Sequence, residues 1–446
     1  MPLAIVVLAA GLGTRMKSDR PKVMHPLAGR PMLAQVLETA GALAPERIVV
    51  VTGPGMASVE ALAAPHKVAI QAERLGTAHA VLLAKPALEG FADDVLVLYG
   101  DTPLLTVATL EKLVAARRGA DRPAIAVLGF RPADPTGYGR LVMGAKGLER
   151  IVEEKDATAE ERAIGLVNSG VMVIDGARLF PLLAKVGNAN AKGEYYLTDL
   201  VGLARAEGRA CAVVEGEAQE LLGINARIEL AQAEKIVQDR LRAKAMAGGA
   251  TLLDPDTIYF SWDTQLGRDV TIGPNVVFGP GVAVGDGVEI RAFCHLEGAR
   301  IAPGAIIGPF ARLRPGAVIE AGAHIGNFVE IKKAVIEEGA KVNHLTYIGD
   351  ARVGAKANVG AGTITCNYDG FDKGHTDIGK GAFIGSNSAL VAPVTIGDGA
   401  IVGAGSVITK DVAADSLAVT RSEQKELAGW AARFRSKKSS RKKDKT

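Results

Sequence analysis

Aliphatic residues recur at every sixth position in the last third of the chain, and glycine often follows them. The phase is strictest near the end of this region, at Ile378, Ile384, Leu390, Ile396, Val402 and Ile408. A period of six is typical of the hexapeptide parallel β-helix, in which each hexad is a short strand plus a turn and the aliphatic side chain points inward. The pattern therefore predicts an all-β parallel β-helix across residues 272–408.

Continuous apolar runs, instead of a six-residue repeat, mark the first half of the chain. The predicted strands are residues 4–10, 47–52, 94–99, 124–130 and 171–174, and residues 31–43 have helical spacing. Runs that are apolar at nearly every position favour strands buried on both faces of a parallel sheet. Strands that alternate with helices predict a three-layer α/β fold, whose ligands bind beyond the carboxyl ends of the strands.

A segment without glycine or proline, residues 226–247, separates the two patterns. It is rich in helix formers, and Gly248 and Gly249 follow it. We predict a long helix there that links two domains. The predicted boundaries are 1–225 for the first domain, 226–249 for the linker helix, 250–420 for the β-helix and 421–446 for a basic C-terminal tail.

Charge and cysteine content narrow the classes of function. The net charge is +3, but residues 433–446 contain eight Lys or Arg and one Asp, so the rest of the chain is acidic. This tail is polar enough to be predicted as disordered, and without aromatic residues beyond Phe434 it does not favour nucleic-acid binding.

Three cysteines without metal-type spacing fit free thiols in a reducing compartment. No apolar run reaches membrane-spanning length and we identify no signal peptide, so we expect a cytoplasmic protein without a membrane partner.

Two stretches interrupt the run of aliphatic-glycine steps, residues 343–347 and 365–375. A β-helix accommodates insertions as loops, and such loops often bind ligands. The first stretch contains His344, although a single histidine is more often structural than catalytic. The cations Arg314 and Lys332 lie within a few coils and suit an anionic amine substrate. A neutral imidazole could accept the proton of the attacking amine near neutral pH.

The first predicted strand runs into a glycine loop, residues 11–15, at the expected ligand-binding edge. The loop departs from the dinucleotide-binding fingerprint because Met16 occupies the third glycine position. Arg15 and Lys22 are cations that suit a triphosphate, and Asp101, at a strand end, suits a divalent metal. Each of these features also has an ordinary explanation, as a turn or as a surface charge.

Longer motifs extend these observations into a family resemblance. The stretches concerned are residues 8–16, 21–23, 75–80, 99–101, 136–140, 151–157, 168–170 and 223–225, together with Gln71. They resemble the signature of sugar-1-phosphate nucleotidyltransferases. With the hexads, nearly the whole chain resembles the bacterial family of bifunctional N-acetylglucosamine-1-phosphate uridyltransferases and glucosamine-1-phosphate acetyltransferases. The resemblance implies a Rossmann-like, GT-A-like nucleotidyltransferase domain, a linker helix and a left-handed parallel β-helix.

For the first domain, the resemblance implies uridylyl transfer from UTP to N-acetylglucosamine 1-phosphate with release of pyrophosphate. Arg15 and Lys22 would be catalytic because they stabilise the triphosphate, and Asp101 and Asn225 would hold Mg²⁺. The residues implied to bind UTP and UDP-N-acetylglucosamine are Leu8, Ala9, Ala10, Gly11, Lys22, Gln71, Gly76, Thr77, Tyr99, Gly100, Asp101, Gly139, Glu153, Asn168 and Asn225. Of these, Gly139, Glu153 and Asn168 would bind the amino sugar.

For the β-helix, the resemblance implies N-acetylation of glucosamine 1-phosphate by acetyl-CoA. His344 would be the catalytic base, oriented or tuned by Glu330 and Asn367. The implied sugar-phosphate ligands are Arg314, Lys332, Tyr347, Asn358 and Lys373, and the implied acetyl-CoA ligands are Ala361, Asn367, Tyr368, Ser386, Ala404 and Arg421. The family further implies a homotrimer whose acetylation sites are shared between subunits, with residues 421–430 helping to cover the acetyl-CoA site.

The leading hypothesis is one enzyme of UDP-N-acetylglucosamine synthesis that acetylates first and transfers uridylyl second. A first alternative is a monofunctional sugar-1-phosphate nucleotidyltransferase whose β-helix is structural or regulatory. A second alternative is a non-enzymatic interaction protein with an inactive nucleotidyltransferase domain. The set around Lys22 and Asp101 argues against the second alternative, and the set around His344 argues against the first.

Overall fold

The chain divides into two compact units in a computed structural model, which describes residues 2–443 and the side chains of residues 2–439. One unit comprises the chain through Ala243 together with Phe260–Trp262. The other comprises Lys244–Tyr259 and the chain from Asp263 onward. The division therefore falls inside the long helix that follows the first sheet.

Within the described residues, the first unit is built around a nine-stranded sheet. Its strands are Leu3–Leu8, Arg47–Thr52, Lys67–Ile70, Asp94–Tyr99, Ile125–Phe130, Arg140–Gly144, Gly147–Val152, Val167–Asp175 and Cys211–Glu215. The central strand, Leu3–Leu8, pairs in parallel with Arg47–Thr52 and with Asp94–Tyr99. Its side chains alternate between two hydrophobic cores, with Val6 in one and Ile5 in the other. Both faces are therefore covered, which confirms the predicted three-layer α/β fold.

One strand departs from the expected parallel order. Val167–Asp175 runs antiparallel between Asp94–Tyr99 and Ile125–Phe130, so the sheet is mixed. The chain reaches this strand through a hairpin of Arg140–Gly144 and Gly147–Val152 and then a helix of only four residues. A parallel return needs a crossover of a dozen or more residues, usually a full helix.

Helices cover the two faces of this sheet and form part of the loops at its edges. The α-helices are Met32–Ala42, Ala57–Ala63, Thr77–Leu82, Val107–Arg118, Ala159–Arg162, Gly176–Leu183 and Asp199–Ala206. Short 3₁₀-helices span Thr14–Met16, Lys22–Met24 and Lys85–Leu88, and Pro26–Leu27 pairs with Arg30–Pro31 in a small second sheet. The first α-helix lies where residues 31–43 predict one.

The long helix Arg227–Ala247 follows the first sheet, where residues 226–247 predict a helix. Leu230 and Val237 pack against a small core around Ile224. The buried side chain of Gln238 donates to the Phe260 carbonyl at 2.7 Å and accepts from the Phe260 N–H at 2.8 Å. These contacts explain why most of the helix, and Phe260–Trp262, belong to the first unit.

The second unit is a parallel β-helix. Its first ladder comprises Thr251–Leu252, Thr271–Ile272, Glu289–Ile290, Ile306–Ile307, His324–Asn327, Lys341–His344, Asn358–Val359, Phe383–Ile384, Ile401–Val402 and Leu417–Ala418. The other strands are Gln265–Leu266, Val277–Phe278, Ala283–Val284, His295–Leu296, Ala299–Ile301, Arg312–Leu313, Ala317–Ile319, Glu330–Ile336, Tyr347–Val353, Ile364–Cys366, Thr376–Ile378, Ala389–Val391, Val394–Ile396 and Val407–Ile408. They form two further ladders, joined because Glu330–Ile336 and Tyr347–Val353 run through both. A 3₁₀-helix spans Pro255–Thr257.

The aliphatic positions of the hexads form the core of this β-helix. Ile378, Ile384 and Ile396 are fully buried, and so are Ile272, Ile307 and Ile325 in earlier coils. Pairings between its strands, within the described residues, are all parallel. The hexapeptide prediction is therefore confirmed.

Residues 343–347 do not break the repeat, contrary to the prediction. Val342 and Ile348 are both fully buried and lie six residues apart, and Thr346 between them is buried as well. Asn343 takes the position that glycine holds in most hexads, which removes the aliphatic-glycine signature without changing the path of the chain. This stretch is an ordinary corner.

Residues 365–375, in contrast, contain a real insertion. Thr365 and Thr376 are fully buried, and the chain between them leaves the β-helix. Tyr368 and Lys373 pair as an isolated antiparallel bridge, and the Gly374 N–H donates to the Asn367 carbonyl at 3.0 Å. The insertion is therefore a closed loop.

The C-terminal tail was predicted to be disordered, but Trp430–Lys443 is helical. The prediction rested on the low apolar content of the tail and neglected Ala, Arg and Lys, which favour helix. Side chains 430–439 are exposed, so this helix packs against no core. The last part of the predicted tail, residues 444–446, lies outside the described residues. No helix in the described part of the chain is long and apolar enough to cross a membrane.

Candidate active sites

A cavity of about 240 Å³ lies at the carboxyl end of the central strand of the first unit. The residues that line it are Leu8, Ala9, Ala10, Gly11, Lys22, Val23, Gln71, Arg74, Gly76, Thr77, Ala80, Tyr99, Asp101 and Glu194. Most of the residues implied to bind UTP are among them. The cavity is therefore the candidate nucleotide site.

Gly76 shapes one wall of the cavity. Its φ is 116°, and a side chain there would collide with the backbone oxygen of Tyr195. That close approach is held by backbone bonds, since Tyr195 donates to the Leu75 carbonyl at 2.7 Å and accepts from the Ala78 N–H at 3.0 Å. Glycine is therefore required where the helix Thr77–Leu82 begins.

The side chain of Gln71 is buried in the same wall with its amide group fixed in orientation. Its Nε2 donates to the Gly76 carbonyl at 3.0 Å and lies 3.3 Å from Nδ1 of His79. The amide nitrogen thus has partners for both of its hydrogens when His79 accepts. The side-chain oxygen remains as the group of Gln71 that can interact with a ligand, and it can only accept.

Lys22, Asp101 and Asn225 meet at the cavity, which Lys22 and Asp101 line. The Lys22 ammonium contacts the Asp101 carboxylate and lies 3.1 Å from Oδ1 of Asn225. The chain near Asn225 is brought there by the Ile224 N–H, which donates to the Asp101 carbonyl at 3.0 Å. An ammonium group thus occupies the position between two side-chain oxygens.

This arrangement fits a divalent cation. Carboxylate and amide oxygens are ligands that Mg²⁺ accepts, and Mg²⁺ commonly uses one or two protein ligands plus substrate phosphates. Among the described residues, no group of three or more His, Cys, Asp or Glu is placed to hold a metal. The metal would therefore depend on oxygens from the nucleotide as well as on Asp101 and Asn225.

The glycine loop lies against Lys22. Gly13 has a φ of 64°, and a Cβ there would come within 2.5 Å of the Lys22 Cβ. Gly11, in contrast, lines the cavity and has open space around its Cβ position. Arg15 is exposed on the same loop and has no hydrogen-bond or ion-pair partner among the described residues. The loop therefore contributes Gly11 to the cavity wall, while Arg15 is exposed on the loop and does not line the cavity.

The residues implied to bind the sugar form a second group beyond Tyr99. The Asn168 N–H donates to the Gly139 carbonyl at 2.8 Å, and Glu153 accepts from the Thr198 hydroxyl at 3.3 Å. Burial raises the pKa of Tyr99, and the charges of Asp101 and Glu153 raise it further. Burial likewise raises the pKa of Glu153. Tyr99 is therefore close enough to feel the charge of Asp101, at the candidate metal site, and that of Glu153, in the candidate sugar site.

Five of the implied ligands do not line the nucleotide cavity: Gly100, Gly139, Glu153, Asn168 and Asn225. Arg74 and Glu194, in contrast, line it without having been predicted. Gly100 instead donates its N–H to the Leu8 carbonyl at 2.9 Å. The Arg74 Nε donates to the Ala10 carbonyl at 2.9 Å and so ties the loop before Gly76 to the segment that follows the first strand. Arg74 could have been predicted from the sequence because it is a cation two residues before Gly76. No feature of the sequence distinguishes Glu194.

In the second unit, most of the implied sugar-phosphate ligands cluster around Asp350, which was not predicted. Lys332 lies 3.2 Å from the Asp350 carboxylate, and Asn367 donates to the same group. Asn367 also lies 3.5 Å from the Tyr347 hydroxyl. The neighbouring Lys332 lowers the pKa of the Lys373 ammonium. Lys332 and Asn367 therefore bond directly to one acidic residue, while Lys373 lies beside Lys332 and Tyr347 beside Asn367.

Glu330 pairs with two arginines of the β-helix. Its carboxylate lies 2.8 Å from the Arg314 guanidinium and 3.4 Å from Arg312. No hydrogen bond or ion pair between Glu330 and His344 occurs in the part of the chain that the structure describes. The partner of His344 is Asn327, whose Oδ1 lies 2.7 Å from the ring Nδ1.

His344 lies at one corner of the β-helix with much of the implied acetyl-CoA set. We call His344, Ala361, Ser386 and Ala404 the corner column. The residue after each later member donates its backbone N–H to the carbonyl of the member before it, at 2.8–3.2 Å. Arg421 Nη1 donates to the Ala404 carbonyl at 2.6 Å and so extends the column. The implied base and acetyl-CoA ligands therefore share one edge.

Two implied ligands stand apart from both groups. Asn358 lies in the first ladder, paired with Lys341 and Phe383. Tyr368 lies in the inserted loop, where its hydroxyl donates to the Gly370 carbonyl at 2.5 Å. In the described residues, no hydrogen bond or ion pair joins the corner column to the Asp350 cluster. A single chain therefore presents the implied acetylation residues as separate groups.

Comparison with known proteins supports the division into two units. Residues 5–168 match the family described as MobA-like NTP transferase domain. Residues 263–298, 298–333 and 375–410 match the family described as bacterial transferase hexapeptide, six repeats.

Full-length relatives match both units at once. The bifunctional protein GlmU of Rhodospirillum rubrum is 68% identical over 432 residues, which are 97% of each chain. The protein of the same name from Paramagnetospirillum magneticum is 65% identical over 440 residues, 99% of this chain and 98% of that protein. The one from Azorhizobium caulinodans is 58% identical over 439 residues, 97% of each.

Proposed function

This chain belongs to the GlmU family of bifunctional proteins, and from that premise we propose the substrates and the steps of its two reactions. Its first unit is a nucleotidyltransferase and its second unit is a hexapeptide-repeat acyltransferase. In the proposed sequence, the second unit acetylates glucosamine 1-phosphate. The first unit then converts the product, N-acetylglucosamine 1-phosphate, into UDP-N-acetylglucosamine.

In the proposed uridylyl transfer, a phosphate oxygen of the sugar substrate attacks the α-phosphorus of UTP and pyrophosphate leaves. Positioning and charge neutralisation supply most of the catalysis in such a step. Lys22 and the free cation Arg15 neutralise the triphosphate, and Asp101 and Asn225 would hold Mg²⁺, which when bound neutralises phosphate charge. The convergence of Lys22 Nζ with the side-chain oxygens of Asp101 and Asn225 carries this proposal.

The orientation of Gln71 supports uracil as the base. Its side-chain oxygen can only accept a hydrogen bond, because the amide nitrogen is already occupied by Gly76 and His79. Uracil carries a hydrogen on N3, whereas N3 of cytosine is an acceptor and would face the Gln71 oxygen unfavourably. Thymine has the same N3–H and would satisfy this contact equally.

In the proposed acetylation, the amine of glucosamine 1-phosphate attacks the thioester carbonyl of acetyl-CoA, and CoA leaves as its thiol. His344 takes the proton that the amine loses. The Asn327 oxygen accepts from Nδ1 of the ring, which leaves the Nε2 lone pair for that proton. The cations Arg314 and Lys332 would bind the sugar phosphate.

A homotrimer is part of the proposal. Among the described residues of one chain, the corner column and the Asp350 cluster are not bonded to each other, and Asn358 pairs with Lys341 and Phe383 instead of with either group. Neighbouring copies that contribute different groups would complete one acetylation site. A cytoplasmic location is also proposed, and the three free cysteines, Cys211, Cys294 and Cys366, are compatible with it.

Two assays on one preparation test this function. Glucosamine 1-phosphate with acetyl-CoA should release CoA thiol, and N-acetylglucosamine 1-phosphate with UTP should release pyrophosphate only when Mg²⁺ is present. Exchanging the two sugar phosphates is the matched control and should abolish or strongly reduce both signals. Pyrophosphate release without any CoA release would instead support the monofunctional alternative.

A further inference from the structure

Arg227, at the start of the long helix, connects three segments of the first unit that are distant in sequence. Its Nε donates to the Met16 carbonyl at 3.3 Å. Its Nη1 lies 3.4 Å from Nδ1 of His25. One guanidinium thus bonds both to the glycine loop and to the turn that follows it.

Each of these segments carries a residue of the proposed uridylyl-transfer site. Arg15 immediately precedes Met16. The turn Lys22–Met24 ends at His25, whose N–H donates to the Lys22 carbonyl at 3.2 Å. The third residue is Asn225, two positions before Arg227 itself. The contacts of Arg227 therefore link the backbone segments that carry Arg15, Lys22 and Asn225.

The His25 ring is suited to accept a hydrogen bond from the Arg227 guanidinium. Its side chain is only 3% exposed. Burial lowers the pKa of His25, and the positive charges of Arg227 and Arg20 lower it further, so the ring is neutral near pH 7. A neutral ring that accepts at Nδ1 carries its hydrogen on Nε2. That Nε2 is buried and has no hydrogen-bond partner among the described residues, so the Arg227 contact is the one polar bond of this ring there.

We propose that Arg227 and His25 are a positioning pair that sets the separation of Lys22 and Asn225, and with it the affinity of the site for a magnesium–nucleoside triphosphate. The inference rests on the proposed function of that site. Neither residue lines the nucleotide cavity. Arginine is needed because its planar group directs two donors at two acceptors on different segments, which an ammonium on a flexible chain does not reproduce.

Calorimetric binding of UTP at fixed Mg²⁺ tests the pair in the full-length protein. Arg227→Lys keeps the charge and should weaken UTP binding ~10-fold, the scale typical of residues that orient ligands of a metal site. Acetylation by the second unit should stay within about twofold, which controls for folding. Ile228→Ala, on the exposed neighbour in the same helical turn, is the matched control and should bind UTP as the wild type does.

Substitutions at His25 separate positioning from simple packing. The side-chain oxygen of Asn can lie close to the position of Nδ1 and accept the hydrogen bond from Arg227, so His25→Asn should retain most of the UTP affinity. His25→Leu fills the space without an acceptor and should weaken binding as Arg227→Lys does. Combining His25→Leu with Arg227→Lys should add little further loss, because both changes remove the same bond.

The outcomes distinguish this inference from the proposed function. Wild-type protein that fails to bind UTP with Mg²⁺ contradicts both. Wild-type binding that Arg227→Lys leaves unchanged overturns the positioning pair alone. A parallel loss of acetylation and of UTP binding also overturns it, because the effect would then be general destabilisation.

Discussion

His344 is bonded through its ring Nδ1 to the side-chain oxygen of Asn327, 2.7 Å away in the preceding coil. This bond holds the imidazole in the tautomer whose Nε2 can take a proton. Asn327→Ala should therefore slow acetylation ~10-fold, less than loss of the base itself, which typically removes ~10²–10⁴. Steady-state CoA release is the measurement, and pyrophosphate release should be unaffected.

Asn327→Asp gives a sharper form of the same prediction. A carboxylate beside Nδ1 stabilises the protonated imidazolium, which cannot act as a base. The acidic limb of the acetylation pH profile should move to higher pH. A profile identical to that of the wild type would show that Asn327 does not act on the base.

Gly11 and Gly13 should respond differently to the same substitution. Gly13→Ala introduces a Cβ within 2.5 Å of the Lys22 Cβ at a positive φ, so thermal unfolding of the first unit should begin at lower temperature and uridylyl transfer should fall. Gly11→Ala meets nothing in the free protein and should leave thermal unfolding unchanged. Because Gly11 lines the nucleotide cavity, the KM for UTP should nevertheless rise. Equal thermal loss in both variants would contradict this account of the loop.

Glu153 provides a pH-dependent prediction with a defined sign. Burial raises its pKa above the ordinary value of 4.5, so folding disfavours the ionised carboxylate. The resulting loss of stability is present above the folded-state pKa and disappears as pH falls through that pKa towards 4.5. Glu153→Gln should therefore unfold at the same or a higher temperature than the wild type at pH 7, with a weaker pH dependence. Thermal unfolding from pH 7 to 4.5 is the measurement.

The same variant tests the role of Glu153 in sugar binding. A charged acceptor contributes more to a hydrogen bond than an amide does, so Glu153→Gln should raise the KM for N-acetylglucosamine 1-phosphate by ~10-fold. The KM for UTP should change little. A destabilised variant, or one with an unchanged sugar KM, would contradict the proposed role.

The parts of the fold that follow from local pattern were predictable. The hexads place Ile378, Ile384 and Ile396 inward because one strand and one turn repeat without dependence on distant contacts. The apolar runs likewise identify strands with two buried faces. The antiparallel direction of Val167–Asp175 was not predictable in this way, since an apolar run has no direction.

Some residues of the candidate sites could likewise be predicted from local motifs, and others could not. Residues next to a glycine turn or a strand end, such as Gly76 and Asp101, could be found from motifs. Asp350 and Asn327 could not, because their partners lie 17 or 18 residues away and only the stacking of coils brings them together. Residues 343–347 were wrongly interpreted as a break because Asn343 replaces a glycine while the buried positions around it keep their spacing.

The independence of two active sites on one chain is the central claim, and paired variants test it most directly. Both rates, CoA release and pyrophosphate release, would be measured in Lys22→Ala and in His344→Ala. Lys22→Ala should lose uridylyl transfer by ~10²–10³ and keep acetylation, while His344→Ala should lose acetylation by ~10²–10⁴ and keep uridylyl transfer. Loss of both activities in either variant, while the protein remains folded, would contradict the account.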